Sequence, residues 1–241
     1  MTVDRSGDGT HEAVGSAQTF YTKWAKAYDL LAQYAPGSGR LRRHAVGALD
    51  PDPGDVVLDL GCGTGANFPY LREAVGPDGI VVGVDFAPGP VRIARDRAVD
   101  WDNVHVLRGD AARLPIGRRG QYAPDAVLAS FVMGMLPEPA GVVRSWAEHV
   151  GPGGRMALLD LSRSTDWPWR LLNPPFAILT RASAPSGSDT IRSADAVDVL
   201  DRRVEAAHRA MDDCCVEVHS TTYMGGFARI SAGRVVPDDG E

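Results

Sequence analysis

Apolar residues in this chain fall into short runs separated by stretches where they recur every three or four positions. The runs cover 56–60, 80–84, 104–107, 126–130 and 156–161. Residues 67–75, 91–99 and 141–150 between them carry helical spacing. Short runs without polar alternation read as strands buried on both faces, and the intervening helices specify a parallel sheet covered on each side. The turns agree: Gly76-Pro77-Asp78-Gly79 and Gly151-Pro152-Gly153-Gly154 each precede a strand. A short helix over 41–49 ends at Asp50-Pro51-Asp52-Pro53-Gly54, a strong stop signal.

The pattern changes towards both ends. Residues 1–15 are polar and expected to be disordered. From 19 to 34 the aromatics Phe20, Tyr21, Trp24, Tyr28 and Tyr34 give one helical face an aromatic stripe. Core packing is the default reading of such a stripe, and a helical lid over a ligand is the sharper one. Beyond the fifth run, 167–180 is rich in Trp, Leu and Pro, and a long helix is expected over 194–211. Two strands, 214–224 and 227–232, then meet at Gly225-Gly226, a hairpin signal. The expectation is one domain over 16–241, an α/β fold whose parallel sheet closes with an antiparallel hairpin, with an insertion at about 162–193.

Chemistry concentrates after the first run. Val56-Val57-Leu58-Asp59-Leu60 leads into Gly61-Cys62-Gly63-Thr64-Gly65, with glycines at alternate positions before a helix. Glycines let a ligand approach the backbone closely, and a helix N-terminus presents unpaired N–H groups. Three acids stand at the ends of successive strands: Asp59, then Asp85, then Asp110. Open α/β sheets bind ligands there. Asp85 can accept hydrogen bonds from two ribose hydroxyls, and Asp110 from an adenine amino group. Any one of these acids has an ordinary reading as a cap or turn residue. Three in register behind a glycine loop favour a nucleotide-like ligand.

Composition adds bounds. With 241 residues, 44% of them hydrophobic, the chain can bury the core of one α/β domain. The net charge is −6 and no basic tract occurs, so no nucleic-acid partner is expected. Cys62, Cys214 and Cys215 have neither metal-ligand spacing nor an even count, so reduced thiols and no metal are expected. No signal peptide or membrane-length apolar stretch is visible, which leads to the expectation of a cytoplasmic protein. Whether it forms a homodimer stays open.

From about Tyr28 to Leu161 the chain resembles class I S-adenosylmethionine-dependent methyltransferases. The pieces that carry the resemblance are LDLGCGTG at 58–65, VVGVDFAPGPVRIAR at 81–95, VHVLRGDAARLP at 104–115, DAVLASFVM at 125–133 and VGPGGRMALLDL at 150–161. The resemblance implies a Rossmann-like, seven-stranded sheet, mostly parallel with an antiparallel last strand. It implies S-adenosylmethionine as cofactor, with Gly61, Gly63 and Gly65 passing under its methionine part and Cys62 among the cofactor-binding residues of the same loop. Asp59 would help anchor the amino group through the loop, and Asp85 would take the ribose hydroxyls. Phe86 would border the adenine, and Asp110 and Ala111 would meet its edge. Ser130 would sit near the methionine end and the acceptor. Tyr28, in WAKAYDLL, matches an aromatic-Asp element that covers the cofactor in similar enzymes.

No catalytic base is assigned. His149, His208 and His219 are candidates, but none lies in a recognisable motif, and each reads first as a surface or packing histidine. Asn173-Pro174-Pro175-Phe176 matches a tetrapeptide of amino-group methyltransferases, yet it follows the fifth strand, whereas theirs follows the fourth. Its proline pair reads as a helix break in a lid. Trp167, Trp169, Leu171, Leu172, Phe176, Ile178 and Leu179 could line an apolar acceptor pocket, or simply pack as a helix on the sheet. Together with a looser resemblance to quinone and lipid methyltransferases, they suggest a small, largely apolar acceptor. A nicotinamide-dependent oxidoreductase is the rival enzyme class; the G-x-G-x-G spacing in place of G-x-G-x-x-G argues against it. A non-catalytic cofactor sensor is the rival outside enzymes.

Overall fold

The computed structural model describes residues 37–114, 123–183 and 196–237, without the side chains of 179–183 and 196. The expected disorder at 1–15, the aromatic stripe at 19–34 and Tyr28 lie outside the described residues. Helix α1 spans Ser38–Leu49, β1 Val56–Leu60, α2 Phe68–Val75, β2 Ile80–Asp85, α3 Pro88–Ala98 and β3 Val104–Arg108. They are followed by β4 (Ala126–Ser130), α4 (Pro139–Val150), β5 (Arg155–Leu161) and α5 (Asn173–Ser183). Helix α6 (Ala196–Cys214), β6 (Cys215–Tyr223) and β7 (Ala228–Val235) complete the order. Single 3-10 turns occupy Met133–Met135, Trp169–Leu172 and Met224–Gly226.

Seven strands form one sheet in the order β3-β2-β1-β4-β5-β7-β6. The first five are mutually parallel, and β7 runs antiparallel between β5 and β6. The expected hairpin is therefore present, with β7 inserted next to β5. From β1 the chain steps outwards through β2 and β3, then returns to β4 on the other side. That reversal opens a crevice beyond the carboxyl ends of β1 and β4, the usual ligand position in such sheets.

The strand period of two sorts the core into two layers. Val57, Leu128, Leu159 and Ile230 face α1, α2 and α3, where Leu49, Phe68 and Leu71 meet them. Leu58, Leu60, Met156 and Leu158 face α4 and α6, against Trp146, Val204 and Met211. The same parity decides where polar residues go. Asp59 and Ser130 share the α1–α2 face, whereas Asp160 and Ser231 share the α6 face, and all four are buried. One buried carboxylate therefore lies on each side of the sheet near its ligand end.

The segment after β5 corrects one expectation. Pro174 and Pro175 begin α5 and do not break it. In a first helical turn the N–H groups have no intrahelical acceptor, so proline costs nothing there. The Asn173 side chain accepts from the Ser164 N–H and donates to the Ser164 carbonyl, both at 3.0 Å, closing the preceding loop. Arg163 is paired with Asp198 and Asp201 of α6, which ties this segment to the domain.

Candidate functional site

The glycine loop joins β1 to α2 by crossing over the end of β2. Both Gly61 N–H and Cys62 N–H donate to the Val84 carbonyl, at 2.8 and 3.1 Å. Gly61, Gly63 and Gly65 all have positive φ, from 55° to 75°. The three are not equivalent. A Cβ on Gly61 would stand 2.4 Å from the Val132 side chain, and one on Gly65 2.4 Å from the Phe68 ring. A Cβ on Gly63 would meet nothing among the described residues within 4 Å, so that glycine leaves open the space beside the loop.

Two adjoining clefts flank this loop. The larger, about 390 Å³, is lined by Gly61, Gly63, Asp85, Phe86, Ser130 and Val132 among others, with Met135 at its rim. The second, about 280 Å³, is lined by Arg42, Asn67, Thr64 and Ser130 as well as the glycines. Ser130, at the end of β4, belongs to both. Phe131, which follows it, holds a left-handed backbone (φ 62°), a strained conformation for an aromatic residue that turns the chain sharply along the cleft wall.

The acids differ in environment. Asp85 accepts from Gly63 N–H at 3.0 Å and Ala87 N–H at 2.8 Å, so the loop and the start of α3 fix its orientation. Burial pushes its carboxyl above the ordinary value, against the pull of those backbone donors. Asp59 is fully buried, and burial pushes it from 3.8 up to about 6 in spite of a hydrogen bond from Asn67 and the charge of Arg42. Its Oδ1 accepts from Asn67 Nδ2 at 2.8 Å, and its Oδ2 has no hydrogen-bond partner among the described residues. A buried carboxylate oxygen without a partner is expensive, and a cationic ligand group reached through the loop would supply what it lacks. The residues present thus fit S-adenosylmethionine: an open glycine track, an acid for an ammonium group, and a second acid posed for a ribose.

Asp110, Ala111 and the apolar residues after β5 fall outside the clefts. Asp110 is exposed and caps its own turn, accepting from Ala112 N–H at 2.9 Å. Ala111 is buried, and its carbonyl accepts from the Trp146 indole at 2.7 Å. Cys62 lines the second cleft as part of the loop, while its side chain is buried in the α1–α3 core layer, where burial pushes the thiol well up. Trp167, Trp169, Leu171, Leu172 and Ile178 are exposed and line neither cleft, while Phe176 packs on Phe227 at 5.1 Å between ring centroids. The Leu179 side chain lies outside the described residues.

None of the three histidines reaches a cleft. His149 is buried with Nδ1 2.7 Å from the Ser145 carbonyl, and His219 lies exposed on β6. His208 is fully buried, with Nδ1 2.7 Å from Ser231 Oγ and Nε2 3.5 Å from Asp160 Oδ2. Asp160 in turn accepts from the Met133 N–H at 3.3 Å, so this pair holds the turn that follows β4.

The sequence reading missed Arg42, Asn67 and the Asp160–His208 pair. Arg42 Nη1 donates to Asn67 Oδ1 at 2.7 Å, and Asn67 Nδ2 reaches Asp59 and, at 3.3 Å, Ser130. A signal was present for two of them. Arg42 sits in a stripe with Ala45, Val46 and Leu49, and His208 in one with Val204, Ala207 and Met211. A charged or titratable residue in an apolar helical stripe marks a buried polar site.

Known proteins agree with this geometry. A family described as "Methyltransferase domain" matches residues 57–154, the stretch that contains the glycine loop, Asp59 and Asp85. An arsenite methyltransferase of Halobacterium salinarum is 29% identical over 79% of this chain and 49% of its own length. A 2-phytyl-1,4-naphtoquinone methyltransferase of Thermosynechococcus vestitus is 33% identical over 60% of this chain and 64% of its own length. The chain thus spans about half to two thirds of these two curated relatives. A SAM-dependent methyltransferase structure from Aquifex aeolicus superposes with a TM-score of 0.60 at 17% identity, covering 89% of this chain and 98% of that one. The glycine track, the strand order and the family match agree: residues 57–154 match a methyltransferase domain, and the sheet has the fold of a SAM-dependent methyltransferase structure.

Proposed function

We propose that the protein transfers the methyl group of S-adenosylmethionine to a small, largely apolar acceptor. The observation that carries this reading is the convergence of Gly63, Asp85 and Ser130 on one crevice at the β1/β4 reversal, with the buried Asp59 tied to it through Asn67. Asp85, its orientation fixed by two backbone donors, holds the ribose. The loop backbone carries the methionine part, with Asp59 behind it. Phe86 borders the adenine, and Asp110 with Ala111 approaches its far edge from the end of β3.

The cofactor supplies a methyl group on a positively charged sulfur, an already activated donor. The chain's own task is alignment and exclusion of water. Ser130, Phe131, Val132 and Met135 form the wall on the acceptor side, three of them apolar. Among the described residues no histidine lines the clefts, which suits an acceptor that arrives with its own nucleophilic atom. The names of the relatives support a small acceptor, since one acts on a phytylated quinone and one on arsenite. The net charge of −6 does not suit a nucleic acid.

Calorimetric titration with S-adenosylmethionine, S-adenosylhomocysteine and NADH tests the cofactor. Saturable binding of the first two alone is expected, and binding of NADH alone would overturn the reading. A panel of reduced naphthoquinones, arsenite, bulk RNA and protein then tests the acceptor. Methylation of RNA or protein in preference to the small molecules would refute the proposal.

A further inference from the structure

Helix α6 passes directly into β6 at Cys214 and Cys215, whose sulfurs lie 3.9 Å apart. One atom bonded to both sulfurs at about 2.3 Å, the length of a zinc–thiolate bond, can span that gap. The pair stands far from the clefts. Cys215 faces Val235 across the hairpin, and the Val235 N–H donates to the Gly154 carbonyl at 2.8 Å, just before β5 begins. The clefts lie beyond the carboxyl ends of the strands parallel to β5, so the thiols occupy the opposite edge of the sheet. Cys215 is buried in the core cluster of Val150, Met211 and Val235, whereas Cys214 is half-buried at the rim of that cluster. The Val236 N–H donates to the Cys214 carbonyl at 3.1 Å, which fixes the peptide between the two thiols.

We propose that Cys214 and Cys215 form a dithiol site that chelates a trivalent arsenical, remote from the crevice and independent of the cofactor reading. Capture is a condensation without oxidation or reduction. An arsenoxide, R–As=O, gives up its oxygen; two As–S bonds form; the two thiol protons leave with that oxygen as one water. The ligand class follows from the number of donors. Thiolates select soft, thiophilic centres. A zinc site takes four ligands, and among the described residues no group of three His, Cys, Asp or Glu side chains could hold a metal ion. Trivalent arsenic with one other substituent is complete with two sulfurs. The two thiols also react in a set order. The hydrogen bond from Cys215, and then the Arg144 charge, hold the Cys214 thiol below its ordinary range against the effect of burial, so the more accessible sulfur attacks first. The contact with Cys214 and burial push Cys215 up, and it closes the chelate second, as an intramolecular step.

The test incubates the native 241-residue chain with phenylarsine oxide in excess glutathione, records the intact mass, and then alkylates the remaining thiols in denaturant. One arsenical less one water should stay on each chain. Alkylatable thiols should fall from three to one, identified as Cys62 by peptide mapping. A small dithiol should strip the adduct and restore all three. Cys214→Ser and Cys215→Ser should each raise the half-saturating arsenical concentration about 100-fold, the loss of one arm of a chelate. Saturating S-adenosylhomocysteine should leave capture unchanged. A wild type whose Cys214 and Cys215 both stay alkylatable overturns the assignment, as does capture that appears only in denaturant. Neither of those results needs a variant that folds. Capture by either serine variant equal to that of wild type, or competition by S-adenosylhomocysteine, also overturns it by placing the arsenical elsewhere.

Discussion

Protonating Asp59 should disable the cofactor site while favouring the fold. Burial holds its folded-state carboxyl at about 6 against an ordinary 3.8. That gap corresponds to about 3 kcal/mol at full ionisation, an order-of-magnitude figure for a group completely shielded from solvent. A raised carboxyl favours the folded state when protonated. Its contribution is therefore complete below about 3.8 and is lost as pH climbs through about 6. Above that pH the protein carries an ionised carboxylate whose Oδ2 has no hydrogen-bond partner among the described residues.

A ligand ammonium that pairs with this carboxylate needs it ionised, so binding at acid pH must expel a proton. The affinity for S-adenosylmethionine should accordingly be flat above pH 7 and about tenfold weaker at pH 5. Calorimetry in buffers of different ionisation enthalpy counts the proton directly: close to one released at pH 5, close to none at pH 7. Asp85 is also raised by burial and faces the same ligand, and Arg42 is the nearby cation, so the wild-type profile alone is ambiguous. Asp59→Asn resolves it. That variant should bind more weakly at pH 7, lose the acid-limb dependence, and melt no lower than wild type at pH 8. A wild-type affinity unchanged between pH 5 and 7, or the same slope in Asp59→Asn, would refute the coupling.

Gly63→Ala and Gly65→Ala should separate ligand from fold. The first costs only the left-handed backbone, about 1–2 kcal/mol, while filling the open track and weakening cofactor binding about tenfold or more. The second also drives a Cβ into Phe68, so its melting temperature should fall further than that of Gly63→Ala; equal melts would contradict this. His208→Ala strands the buried Asp160 and should cost about 3–5 kcal/mol in urea unfolding, whereas a surface-like cost under about 0.5 kcal/mol would show the pair is inert. Asn173→Ala loses two hydrogen bonds to Ser164 and should destabilise by about 1–3 kcal/mol, with the cofactor Kd and turnover per folded molecule unchanged. Loss of turnover in a folded Asn173→Ala protein would restore a catalytic role to Asn173-Pro174-Pro175-Phe176.

Much of the framework could be read in advance because it is written in periodic or local signals. The all-buried strand β4 is the apolar run at 126–130, and the hairpin announced by Gly225-Gly226 is present, with its turn at Met224–Gly226. The glycine loop was visible because three positive-φ positions demand three glycines at fixed spacing. Local signals misled where tertiary partners set the outcome. The Pro174-Pro175 pair reads as a break until Ser164 is seen to anchor Asn173 and let a helix begin. The apolar residues around Trp167–Leu172 suggested a pocket, yet hydrophobicity alone carries no direction, and their side chains face outwards.

The polar half of the site was illegible for a different reason. Arg42, Asn67, Asp59 and Ser130 come from α1, the start of α2, β1 and the end of β4, and no spacing in the chain relates them. They meet because strand parity turns residues 59 and 130 to the same face, and because helical periodicity turns residue 42 to the core with 45, 46 and 49. Those parities were already in the sequence. What was missing was the question to ask of them, namely which charged residues fall on faces that must be dry. Asked on one side of the sheet, it returns Asp59 with Arg42 under the glycine loop. Asked on the other, it returns Asp160 with His208 behind the turn after β4. Both pairs support the same crevice from opposite layers. A helix that buries a charge gives up core stability there, and the two interruptions of the apolar stripes in α1 and α6 fall beside the glycine loop and behind the turn that follows β4.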